Sequence, residues 1–195
     1  MPVLSEEICL HPVELLGSPA IGDPPRWWWI LHTKPRQEKA LSRYLLGCDI
    51  PFYLPLVRKT LTYGHRRIHS YVPLFPGYVF FFGTEEDRVS SPATNRVLKI
   101  LSVEDQNRLF QDLQRIRQLI ASGAPLTVER WLSPGRRVRI RSGALAGLEG
   151  TVVRRQGGTH LIVSVDFIQQ GASVAIDDAV LEAVDQRQPQ LTSRR

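Results

Sequence analysis

Five histidines and two cysteines are the residues best equipped to hold a metal or attack a substrate, and their spacing supports neither. His65 and His69 stand four apart, but in a stretch that reads as a hairpin and without acidic ligands nearby, which is not a metal-site spacing. Cys9 and Cys48 provide neither a disulfide framework nor a zinc site, and they fit a reducing compartment. The chain has no phosphate-cradling Gly-Lys-Ser/Thr run and no nucleophile elbow. The expectation is therefore a protein that is not an enzyme and carries no metal or cofactor.

Binding chemistry is better represented. Residues 26–121 hold 15 Lys/Arg against 8 Asp/Glu, a net +7, whereas residues 131–185 hold 6 of each. Any nucleic-acid partner therefore belongs to the first half of the chain, although a basic surface also serves solubility. Two basic groups stand out. Lys34, Arg36, Lys39 and Arg43 lie on or beside one helical pattern, either as a solvated face or as phosphate contacts. Phe52 to Val72 contains no acidic residue but carries Arg58, Lys59, Arg66 and Arg67, and its centre, Tyr63-Gly64-His65, reads as a hairpin tip.

A third group is apolar. Leu74 to Gly83 is the most apolar run, and its core reads as a short strand. Alternation places Tyr78, Phe80 and Phe82 on one face and Val79 and Phe81 on the other. Pattern alone favours a central strand covered on both faces. A partly open face that binds a protein is the sharper alternative.

These residues need a scaffold, and local signals supply one. Residues 1–25 carry four acidic residues and no Lys or Arg, so they are no secretory signal and read as a flexible acidic leader with a short helical piece at Ser5–Cys9. Such a leader is either solvated or folded back on the basic unit. Trp27 to His32 is a strand. Thr33 is a cap for a helix that carries Pro35 in its first turn and ends near Leu46, with Ala40, Leu41, Tyr44 and Leu45 inside. Thr84 caps a short acidic helix, Val97 to Leu101 is a strand, and Ser102 with Asp105 resembles a capping box. Leu109, Leu113, Ile116 and Ile120 then mark one helical face. Four strands and three helices make an α+β unit over 26–121. After a linker at 122–131, short strands with glycine turns over 132–185 read as a small five-stranded barrel, and 186–195 as a frayed tail. No apolar run approaches the ~20 residues that span a bilayer.

Trp28-Trp29-Ile30-Leu31, the Lys34 helix, Pro73-Leu74-Phe75-Pro76-Gly77-Tyr78-Val79-Phe80 and the amphipathic last helix together resemble the N-terminal domain of the NusG family. Pro134 to Arg154, with Gly143, Gly147 and Gly150, resembles a KOW motif. The resemblance covers about 26–185. It implies an antiparallel four-stranded sheet with flanking helices, joined to an SH3-like KOW barrel. It also implies a cytoplasmic, monomeric transcription elongation or antitermination factor, in form a specialised paralogue.

By position, the contact with the clamp helices of RNA polymerase falls on His32, Phe75, Tyr78 and Phe80, His32 standing where relatives often have an aromatic residue. A second polymerase contact falls on Arg88, Ser90 and Ser91. The non-template DNA strand would meet Lys34, Arg36, Asn95 and Arg96. Phe167 or Ile168 would anchor the barrel's partner, which is Rho or a small-subunit ribosomal protein. The loop around them departs in length from that of general members, which bears on Rho. The alternative class is a KOW-type ribosomal or RNA-binding protein, whose barrel should be basic; here that segment is neutral.

Overall fold

The computed structural model describes residues 7–17, 25–63, 66–90, 95–129, 135–155, 158–177 and 180–184. Among the described residues, two antiparallel sheets and three α-helices form the fold, with one two-stranded ribbon standing apart. The elements are β1 (Leu10–His11), β2 (Trp27–Thr33), α1 (Glu38–Gly47), β3 (Phe52–Tyr53), β4 (Leu56–Tyr63), β5 (Arg66–Pro73), β6 (Tyr78–Gly83), α2 (Glu85–Ser90), β7 (Val97–Ser102) and α3 (Gln106–Ala121). The second sheet adds β8 (Thr127–Glu129), β9 (Arg136–Ile140), β10 (Glu149–Arg155), β11 (Gly158–Val165), β12 (Gln170–Ile176) and β13 (Leu181–Ala183). The hairpin tip at Gly64 and His65, part of the linker and the tail from 185 onward lie outside the described residues.

The first sheet runs β1-β3-β6-β2-β7. Its five strands replace the expected four, because the leader contributes β1 and the β4–β5 ribbon forms a sheet of its own. The register pairs Trp28 with Phe82, Ile30 with Phe80 and His32 with Tyr78 on one face. On the other face it pairs Trp29 with Phe81 and Leu31 with Val79. The second face packs Leu31, Phe52, Val79 and Phe81 with Leu41 and Leu45 of α1, all at 0% exposure. The first face shares a core with Leu109, Leu113, Ile116 and Leu119 of α3. Gln106 locks that helix to the sheet: its Oε1 accepts from the Trp28 N–H at 2.7 Å and its Nε2 donates to the Trp28 carbonyl.

Several local expectations shift. Residues 7–17 are folded back rather than solvated, and Glu7 to Cys9 are not helical. Glu7 pairs with Arg43 at 2.9 Å and Lys39 at 3.7 Å, β1 pairs with β3, and Leu15 and Leu16 are buried. Opposite charge and apolar burial together offset the entropy of ordering the segment. Helix α1 starts at Glu38, not after Thr33, because Arg36 adopts φ +63 and the chain turns before the helix begins. Asp105 itself caps α3, accepting from the Arg108 N–H at 2.9 Å. The expected cap at Thr84 forms, reciprocally with Asp87.

The second sheet runs β13-β9-β10-β11-β12-β8. Its sixth strand, β8, comes from the stretch read as linker. This sheet packs against α3: Gln118 Nε2 donates to the Ala146 carbonyl, Arg108 pairs with Asp166, and Val138, Leu148, Leu161 and Val163 join the core that α3 shares with the first sheet.

Candidate functional site

The turn before β6 builds the most distinctive surface of the first sheet. Gly77 takes φ +88, a conformation that suits glycine, and a Cβ there would sit 3.5 Å from the His32 ring. Its N–H donates to the buried carboxylate of Glu38 at 2.7 Å, and its carbonyl accepts from Thr33 N–H at 2.8 Å. The turn thus fixes Tyr78 beside its register partner His32. Their rings stack at 5.1 Å with a 19° interplanar angle, and both are partly exposed.

Phe75 and Phe80, expected in the same surface patch, are not on the surface. They are 1% and 0% exposed and meet edge to face at 6.4 Å. Phe80 shares the face of Tyr78, as alternation requires, but the core shared with α3 encloses it. Both phenylalanines form the floor under the turn, and the presented residues reduce to His32 and Tyr78.

The expected nucleic-acid residues converge on the same end of the sheet, where β2 finishes and β7 begins. Lys34 Nζ donates to Asn95 Oδ1 at 2.7 Å, and Lys34 N–H donates to the Arg96 carbonyl at 2.8 Å. Asn95 sits at φ +54, which asparagine tolerates better than most residues. Arg36 occupies the turn just beyond Lys34, and Lys99 pairs with His32 across the ladder. Lys99 is a cation of this end that motif matching passed over; its register opposite His32 is the signal. Stacked rings beside clustered cations can hold an apolar protein anchor and an anionic backbone side by side.

Arg88 and Ser90 stand at the opposite end, past Gly83, which pairs with Trp27. Arg88 pairs with Glu85 and lies over the Trp29 ring, 5.3 Å from its centroid. The Ser90 hydroxyl donates to the Asp87 carbonyl. Ser91 lies outside the described residues. Trp27 and Val89 are the exposed apolar residues of this end.

In the second sheet, Phe167 and Ile168 lie in a short 3-10 turn after β11. Ile168 is buried at 7% exposure and Phe167 is half-buried, so neither stands free as an anchor. The neighbouring Asp166 ties the turn to α3 through Arg108 and donates its N–H toward Asp112 at 3.5 Å. A polar cleft of about 460 Å³ lies there between α3 and the second sheet, with Arg108, Asp112, Arg115, Arg137, Glu149 and Asp166 on its walls. Burial, and then the charge of Asp166, pushes the Asp112 carboxyl up to about 6. The Arg139 guanidinium holds Glu149 below the usual carboxylate range. Among the described residues no group of three or more His, Cys, Asp or Glu is placed to hold a metal, and no helix is long and apolar enough to cross a membrane.

A structure of Thermotoga maritima NusG that concerns domain interaction aligns at TM-score 0.44 and 19% identity, over 84% of this chain and 100% of that one. The MjSpt4:Spt5 complex in its conformation B aligns at TM-score 0.27 and 13% identity, over 83% and 99%. No curated protein matches the chain. The family model described as "Transcription termination factor nusG" matches residues 26–130, which hold the first sheet from β2 onward, all three helices and the aromatic-basic end. With more than half of its 195 residues inside that match, the chain belongs to the NusG family.

Proposed function

We propose that this protein is a transcription elongation or antitermination factor that docks on the clamp helices of RNA polymerase through His32 and Tyr78. The observation that carries the reading is the stacked ring pair, held partly exposed on a rigid floor of Phe75 and Phe80. A few aromatic anchors near the centre of a contact carry most of its energy. Lys34, Arg36, Asn95 and Arg96 then lie within one strand end of the anchors and face the non-template DNA strand. A contact at the α2 end, around Arg88 and Ser90, reaches a second part of the polymerase. Roughly 17–20 Å of strand, at about 3.4 Å per residue over β6, separates the two ends.

The second sheet recruits a further partner, Rho or a small-subunit ribosomal protein, through the Phe167–Ile168 turn. Such recruitment requires that the Arg108–Asp166 pair open, because the turn is tied to α3. A ribosomal RNA-binding role is less well supported, since Arg137 and Arg139 of β9 are both directed at Glu149.

The test is a binding titration of the full chain on purified RNA polymerase core enzyme. Wild type should bind. A Lys34→Ala, Arg96→Ala variant should bind the polymerase alone about as well but lose affinity for an elongation complex with an exposed non-template strand. Equal affinity of wild type and variant for that complex would remove the DNA contact from the reading.

A further inference from the structure

The acidic leader lies outside the residues that the family model matches, yet it is built into the first sheet. One of its acidic residues, Glu7, reaches across to α1. Arg43 Nη1 donates to both Glu7 carboxylate oxygens at 2.9 Å, and Lys39 Nζ stands 3.7 Å from one of them. Lys39 and Arg43 are four apart on α1, so they share one helical face, about 6 Å apart along the axis. Two cations thus converge on one anionic group, an arrangement that equally recognises a phosphate.

Glu7 precedes the anchored part of the leader. Among the described residues that anchoring begins at Cys9, whose carbonyl accepts from Leu54 N–H at 2.7 Å. Strand β1 then pairs with β3, Leu15 and Leu16 are buried, and the Leu16 carbonyl accepts from Gln114 of α3. Glu7 can therefore leave α1 while the rest of the leader stays in place. Arg43 keeps 61% of its side chain exposed, so an incoming anion reaches it from solvent. An ion pair at such a surface holds weakly and yields to a polyanion.

We propose that Lys39 and Arg43 form a further phosphate site for single-stranded nucleic acid, masked by the Glu7 carboxylate, which stands in for the phosphate until a strand displaces it. Placement favours a nucleic acid over an acidic protein surface. Helix α1 starts just after Lys34 and Arg36, which carry the strand contact proposed above, so a strand held there continues onto the face of Lys39 and Arg43. The choice of ligand rests on that strand contact. Binding at Lys34 and Arg36 supplies the local concentration at which a second phosphate displaces Glu7. The leader thereby weakens stray binding of short or singly held strands and leaves a fully engaged strand its extra contacts.

The experiment is fluorescence anisotropy of the full chain with a labelled single-stranded DNA of about 20 bases, from about 50 to 200 mM salt. Glu7→Ala should bind roughly threefold tighter than wild type or better, and Glu7→Gln, which keeps the size of the side chain, should do the same. The slope of log K against log salt should steepen by about 0.7–1.4, at roughly 0.7 per added phosphate contact. Glu14→Ala removes the same charge from an exposed position of the leader and should leave the affinity near that of wild type. Arg43→Ala should cost several times more affinity in the Glu7→Ala background than in wild type. Lys34→Ala, Arg96→Ala should weaken binding in both backgrounds. If it does not, while Glu7→Ala still gains, the strand contact falls and the α1 site stands. Equal affinities of wild type, Glu7→Ala and Glu14→Ala would overturn the proposal. So would a gain that Arg43→Ala leaves intact, or a gain for core polymerase free of nucleic acid in place of the gain for DNA.

Discussion

One face of β2 and β6 has two halves. At Trp28–Phe82 and Ile30–Phe80 the paired side chains are sealed, at 0–6% exposure. Two residues further along, at His32–Tyr78, the same face opens to solvent. Composition does not separate the halves, since both pair an aromatic residue of β6 with a ring or branched chain of β2. Cover does. Helix α3 is clamped at Trp28 through Gln106, and its apolar stripe shares the core of the sealed half. Strand parity assigns a side chain to a face, and the reach of the packed helix decides whether that position is structural or available.

Substitutions in the sealed half test the distinction most strongly. Phe80→Ala should cost about 3–5 kcal/mol, measured by urea denaturation of the full chain, because it removes a fully buried ring and leaves a cavity. A cost under about 1 kcal/mol would place Phe80 outside the core and erase the two halves.

The next largest effect concerns the seal itself. Asp112 sits in α3 at 4% exposure, with its carboxyl raised to about 6. A carboxyl raised in the folded state binds its proton more tightly there than in the unfolded chain. Its contribution therefore destabilises as pH climbs from about 4 to 6, and the cost remains in full above 6. Stability should fall by about 1–3 kcal/mol across that window on this account. Asp112→Asn should flatten the slope and make the protein more stable at pH 7, as read from denaturation curves at pH 4.5, 6 and 7.5. An unchanged slope in the variant would assign the pH dependence to other groups.

The cap of the same helix is worth less. Asp105→Ala should cost about 1 kcal/mol by leaving the Arg108 N–H without its acceptor. The loss should appear as faster amide exchange in the first turn of α3 and at Trp28, with little change at Tyr78. Equal acceleration at both strand ends would mean that α3 covers the whole face.

Much of this scaffold was legible in the chain. Alternation assigned both faces of β6 correctly, and the spacing of Leu109, Leu113 and Ile116 marked the buried stripe of α3. The Phe-Pro-Gly-Tyr turn identified the family. What escaped was long-range. Glu7 meets Arg43 across 36 residues, and Leu16 lends its carbonyl to Gln114 across 98, so no local period announces either contact. For Phe80 the apolar pattern alone favours cover on both faces; it is the positional match to the family that sets Phe75 and Phe80 in a surface patch, whereas the core shared with α3 encloses both. The late start of α1 had a different cause: Pro35 suits a first helical turn, but the left-handed backbone at Arg36 ends that option. Lys34, Asn95 and Arg96 did come together, which sequence distance alone could not indicate.

If the open half of the face is the polymerase contact, as proposed, Tyr78→Ala removes its exposed ring. The variant should melt within a few degrees of wild type, since Tyr78 is only partly buried. Its affinity for RNA polymerase core enzyme, measured by titration on the folded full chain, should fall at least tenfold. A folded Tyr78→Ala variant that binds the enzyme as tightly as wild type would rule out the open half of the face as the polymerase contact.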